Sequence, residues 1–203
     1  MSKRRKTSKK RKSSRRRKGG SRIISSRDTS FTRYYFITRD PDVIKDPTTE
    51  YNYITKLIQK ILNDPRGWKK FGYKFKYISE KCGLKRRLDK KNWRNTFQIR
   101  LSSQNTVKKE CNMENLSCAD LGINVIYLND RNFIFSTKQS QMNPISYQYY
   151  VVNHEIAHIL NRGHNKWPND ANKLCPILSQ QTVKNSPCIP NIYPLQSDFD
   201  LKN

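Results

Sequence analysis

Histidine is scarce in this chain, with three residues in 203. Acidic residues are missing altogether from residues 1–22, a stretch that holds 13 Lys and Arg. The five cysteines, at 82, 111, 118, 175 and 188, form no CxxC pair, which argues against a cysteine-built zinc site. No apolar run approaches the ~18 residues that a membrane helix needs. No apolar segment follows the basic start, so a secretory signal is not expected. These absences lead us to expect an intracellular protein that does not enter membranes, with the nucleus or a virion as fitting settings. Without an oxidising compartment, five reduced thiols are the default, although Cys111 with Cys118 and Cys175 with Cys188 are short-range pairings that leave Cys82 over.

What the chain has in excess is positive charge. The formal net charge is +25. Removing the 13 basic residues of the first 22 leaves 41 − 13 = 28 against 16 acids, still +12. With almost nothing apolar to bury, residues 1–28 are expected to be a disordered Lys/Arg/Ser tail, and 29–203 a single folded domain. Clustered Lys and Arg displace counterions from nucleic acid. The tail is therefore expected to bind nucleic acid or another polyanion through residues 1–22, without base readout. Thr7, Ser8, Ser13 and Ser14 interleave with this charge, and phosphorylation there would weaken such binding.

Along the folded part, 31–38 is rich in aromatic and β-branched residues and reads as a strand. Residues 51–64 space Tyr51, Ile54, Leu57, Ile58, Ile61 and Leu62 as an amphipathic helix. The segments 73–79, 97–103, 122–130 and 132–136 read as strands, and a polar loop carries Cys111 and Cys118. Residues 144–160 form the longest apolar-periodic segment and open with Pro144, as a first helical turn allows. From Asn161 onward the pattern is loop-like. No internal repeat is visible. The fold class expected is α/β (α+β): a mixed twisted sheet, one late helix carrying the site, and a small irregular C-terminal subdomain.

That helix holds the motif. "HEIAHILNRGH" (154–164) contains every histidine of the chain. Positions four apart lie one turn apart on one helix face, so His154 and His158 point the same way. Glu155 falls beside them, placed to take a proton from water. HExxH is the zinc-peptidase arrangement, with the metal as Lewis acid and the glutamate as general base. A catalytic zinc needs a third protein ligand and an open position. His164 can supply that ligand only if the chain reverses, and Asn161 and Gly163 are residues that accept the left-handed conformation.

HExxHxxGxxH is the signature of the metzincin zinc peptidases, and this stretch is similar to it, with Asn161 in the glycine position. The surrounding text resembles a narrower group, the secreted, metzincin-like, otherwise uncharacterised domain family common in actinobacteria. The matching stretches are "DPRGW", "FQIRLSSQNTVKKEC", "LSCADLGINVIYLNDRNF", "YVVNHEIAHIL", "CPILSQQT" and "CIPNIYP", in order over residues 64–194. The resemblance implies a sheet above the zinc helix and a subdomain below it. It implies one Zn2+ held by His154, His158 and His164, with Glu155 as base. Leu178 stands where metzincins carry a methionine beneath the ligands. Tyr193 stands where some carry a tyrosine that approaches the metal, the alternative being a packed aromatic. The resemblance also suggests Cys111–Cys118 and Cys175–Cys188 bridges.

Two functions follow as expectations. One is a zinc metalloendopeptidase acting on peptide or protein substrates, with strand 132–136 as the edge that pairs with them. The other is a basic nucleic-acid-associated or virion structural protein that keeps the domain as an inactive scaffold. Purely structural zinc fits less well, because such sites usually have four protein ligands.

Overall fold

The computed structural model describes residues 31–113, 115–182 and 187–200. The tail expected at 1–28 lies outside them. Five strands form one sheet: β1 (Thr32–Arg39), β2 (Lys74–Tyr77), β3 (Thr96–Ser102), β4 (Cys118–Asp120) and β5 (Val125–Asn129). Their order is β2-β1-β3-β5-β4. The first four in that order run parallel, and β4 pairs antiparallel to β5 at the edge. The described helices are α1 (Tyr51–Asn63), α2 (Glu80–Leu88), α3 (Gln104–Cys111), α4 (Asp130–Phe135), α5 (Pro144–Ile159) and α6 (Gln196–Asp200). The protein is thus a mixed α/β fold of the class expected.

Period-two alternation assigns each strand residue to a face. Tyr35, Ile37, Phe97, Ile99, Leu101, Ile126 and Leu128 join one large core with residues of α1 and α5. On the other face, Val125 and Tyr127 pack with Val107 of α3, and the Cys111–Cys118 disulfide closes this smaller cluster. Helix α2 crosses that same face so closely that a Cβ on Gly83 would meet the Phe36 ring at 2.1 Å.

The segment 132–136 is not a strand, so it cannot be the substrate-pairing edge. It belongs to α4, because the Asn129 side chain accepts from the Asn132 backbone N–H and caps a helix there. Phe133 and Ile134 are then buried on consecutive helical positions rather than on alternate ones. Nor do the two cysteines sit in a plain loop: Cys111 ends α3 and Cys118 opens β4. The region after Asn161 is largely irregular, as expected, with α6 near its end and a Cys175–Cys188 disulfide closing it.

Candidate metal centre

Helix α5 carries the motif. The Asn143 side chain caps it by accepting from Ser146 N–H, and Pro144 occupies its first turn. Its residues from Tyr147 to Ala157 are all buried, which suits a helix that is largely apolar on every side. Its end is a Schellman turn: Asn161 N–H donates to the His158 carbonyl at 2.8 Å, and Arg162 N–H to the Ala157 carbonyl at 3.1 Å. Asn161 takes the left-handed conformation this turn requires, at φ 61°. Gly163 does not share it; the single residue Asn161 makes the reversal.

The reversal brings His164 back to the helix. Ring centroids of His154, His158 and His164 lie 4.8–5.3 Å apart, and one ligand nitrogen from each falls within 4.8 Å of the others. Two of the rings are held from behind. His154 Nδ1 lies 2.7 Å from the Ile177 carbonyl, and His158 Nδ1 lies 2.8 Å from the Arg162 carbonyl. A carbonyl oxygen only accepts, so each Nδ1 carries the proton and each Nε2 presents a lone pair. Those two Nε2 atoms face each other at 3.2 Å. Two lone pairs at that distance repel unless a cation sits against both, and tetrahedral zinc sets its ligand nitrogens about 3.3 Å apart. The residues fit a metal ion.

The electrostatics point the same way. Burial, with help from the neighbouring imidazoles, pushes His154 down to about 3. Burial lowers His158 and His164 as well. Neutral imidazole is the ligating form. Glu155 is 4% exposed, and its Oε2 has no hydrogen-bond partner. Burial pushes its carboxyl up to about 8, although a cation at the three histidines would oppose that shift. His154, Glu155, His158 and His164 share a cavity of about 260 Å3 with Tyr147, Tyr150 and Val151 of α5, and its far wall includes Met113, Leu116, Cys118 and Ala119.

The segment after His164 builds the support behind His154. Tyr150, one turn before His154, donates its hydroxyl to the Ser179 carbonyl and accepts from Gln181 N–H. Buried Asp198 accepts from the N–H groups of Ile177, Leu178 and Leu195, and so fixes the carbonyl that orients His154. Burial raises the Asp198 pKa, and these N–H donors hold the rise back. Leu178 is fully buried in the core, but the contact to a ligand is made by the Ile177 backbone beside it. Tyr193 is not brought to the histidines. Its hydroxyl donates to Asp64 at 3.0 Å, and its ring lies against Tyr149 and under the Arg66 guanidinium.

Asp198 and Gln181 escaped the sequence reading because nothing local marks them. Tyr150 was within reach, since it lies four residues before His154 on the same helix face. "DPRGW" explains itself in three dimensions. Trp68 donates to the Asn153 carbonyl, Asn153 donates to the Ile192 carbonyl, and Tyr193 returns to Asp64. The stretch clamps α5 to the C-terminal region.

Among curated proteins, none matches this chain. A family model described as "Protein of unknown function (DUF3152)" matches residues 12–200, so the match reaches back into the basic stretch, and the chain belongs to that family.

Proposed function

We propose that this protein is a zinc-dependent metallopeptidase of metzincin type. The observation that carries the reading is the pairing of three convergent imidazoles, two with Nδ1 bonded to backbone carbonyls, with a buried, unpartnered Glu155 carboxyl in the same cavity. His154, His158 and His164 would hold the ion. Zinc bound there would supply Lewis acidity where the three rings converge. Glu155 takes a proton from a water in the cavity and passes it to the leaving amine. Its burial keeps that carboxyl out of bulk solvent, where it would lose its basicity to hydration. The edge strand β4 lines the cavity through Cys118 and Ala119 and has β5 on one side only. Its outer side offers backbone groups to an extended peptide, the role that residues 132–136 cannot fill. The basic stretch 1–22 would tether this domain to nucleic acid, so that the expected polyanion binding and the peptidase join in one molecule.

The test is zinc content together with cleavage of a peptide library. About one zinc per chain is expected, lost in His158→Ala. Glu155→Gln should keep the metal and lose about 10²–10⁴ in rate. Undiminished cleavage by a zinc-loaded Glu155→Gln variant would refute the mechanism.

A further inference from the structure

The cations of the folded domain are as unevenly placed as those of the tail. Between residues 74 and 94 the sequence has nine basic and two acidic residues, a net +7. The fold places this stretch on the sheet face away from the histidines. Lys74 and Lys76 pair with Thr32 and Tyr34, and alternate with Phe75 and Tyr77, which belong with the main core. They therefore point to the side that α2 covers. Helix α2 follows, then the turn that leads into the 3-10 helix Trp93–Asn95. Lys81, Lys85, Lys90, Lys91 and Arg94 are all exposed. Among the described residues, the ion pairs Arg66–Asp64 and Arg100–Asp40 lie elsewhere and engage none of them. One of the two acids, Asp89, is turned into its own loop, accepting from Lys91 N–H and the Asn92 side chain.

We propose that this face, built by β2, α2 and the loop to Trp93, binds the phosphate backbone of nucleic acid independently of residues 1–22. Three features favour that partner. The cations run in a series from the sheet edge across a helix to a turn, which suits an extended polyanion better than a single bound phosphate. Lys81 and Lys85 stand one helical turn apart, so both present to the same strand of charge. The first described residue also lies at this edge, where the Phe31 carbonyl accepts from Lys74 N–H, and in sequence residues 23–30 separate it from the basic stretch. An anionic membrane is the rival occupant, because Leu84 and Leu88 are 46% and 87% exposed on α2. Two leucines do not make the broad apolar face that an interfacial helix inserts, and five of the nine residues of α2 are charged.

The experiment uses the full chain with Lys81→Gln, Lys85→Gln, Lys90→Gln and Lys91→Gln combined, all at exposed positions. Binding to a short DNA duplex of arbitrary sequence is followed by fluorescence anisotropy across a salt series. Zinc content and thermal midpoint serve as the check that the fold is kept. Each lost phosphate contact flattens the slope of log K against log salt by about 0.9, so a reduction of about three to four is expected, with affinity falling about 10- to 100-fold at moderate salt. An unchanged slope would mean that the first 22 residues supply all the binding, and would overturn the proposal. So would a variant that keeps DNA binding while losing attachment to phosphatidylserine vesicles, particularly if Leu84→Ser with Leu88→Ser reproduced that loss.

Discussion

The two faces of the sheet are made by alternate residues of the same strands, yet they do opposite things with polar groups. On one face, Tyr35, Ile37, Phe97, Ile99 and Leu101 build a core in which α5 is buried along most of its length. Burial lowers the pKa of the buried His154 and the half-buried His158 there, and the exposed His164 completes the cluster. On the other face, Gln98 and Arg100 of the same strand β3 are half-buried, and the short helix α2 turns its lysines outward. A metal ligand needs fixed direction and a neutral ring, which burial and a backbone carbonyl supply for His154 and His158. A polyanion surface needs solvated, mobile charge, which a core would suppress. Strand periodicity keeps the two environments one sheet apart without separate domains.

Asp198 belongs wholly to the first face, and its loss should separate the two faces most. Its carboxyl accepts three backbone N–H groups, including that of Ile177, whose carbonyl holds His154. Asp198→Ala leaves buried donors unsatisfied, and a loss of about 2–4 kcal/mol of stability is expected. Zinc affinity should fall about 10- to 100-fold through the freed imidazole, while DNA binding by folded protein stays as it was. Chelator competition with thermal unfolding measures both. Zinc affinity that stays intact while stability drops would show that the Ile177 carbonyl does not orient His154.

A substitution on the opposite face should separate the same two quantities in reverse. Gly83→Ala drives a Cβ into the Phe36 ring, at 2.1 Å before any relaxation. The ring is fully buried and α2 must lift to make room. The expected cost is about 1–3 kcal/mol in unfolding free energy, with zinc stoichiometry and affinity unchanged. A variant that folds but binds zinc less tightly would show that the faces are mechanically coupled through β1.

How much of this could be read beforehand depended on range. Helices α1 and α5, strands β1 and β3 and the three-histidine cluster rest on period and spacing within a dozen residues, and the sequence reading found them. Asn161 could be named as a reversal because its side chain tolerates positive φ. The segment 132–136 misled because three consecutive apolar, β-prone residues in five look like a short buried strand. The competing signal, an Asn129 cap three residues before Asn132, is a weak one to weigh in advance. Helices α2 and α3 were missed because each buries a single position, Gly83 and Val107, and so shows no apolar stripe. The support behind His154 was invisible for another reason. Ile177 lies 23 residues from His154 and Asp198 a further 21 away, and no local pattern links them.

The smallest expected effect concerns Tyr193, which the resemblance placed near the metal and the structure places against Asp64. Hydrogen bonds, first from Arg66 and then also from Tyr193, hold the Asp64 carboxyl down at about 2, below its ordinary value of 3.8. A lowered carboxylate pKa stabilises the fold above the ordinary value, and that contribution is lost as pH falls from about 4 through 2. The Arg66 side chain is 67% exposed, so solvent screens the pair and the whole contribution is below about 1 kcal/mol. Tyr193→Phe removes one donor and lets the Asp64 pKa rise toward its ordinary value. The variant should therefore lose a few tenths of a kcal/mol at neutral pH, and the difference from the parent should shrink between pH 4 and pH 2. Zinc affinity should not change, because the hydroxyl points to α1's end and not into the cavity. Carboxyl titration by NMR and zinc competition on the same samples decide it: an Asp64 pKa that stays put would remove the Tyr193 hydrogen bond from its control, and a zinc affinity that falls would return Tyr193 to the metal.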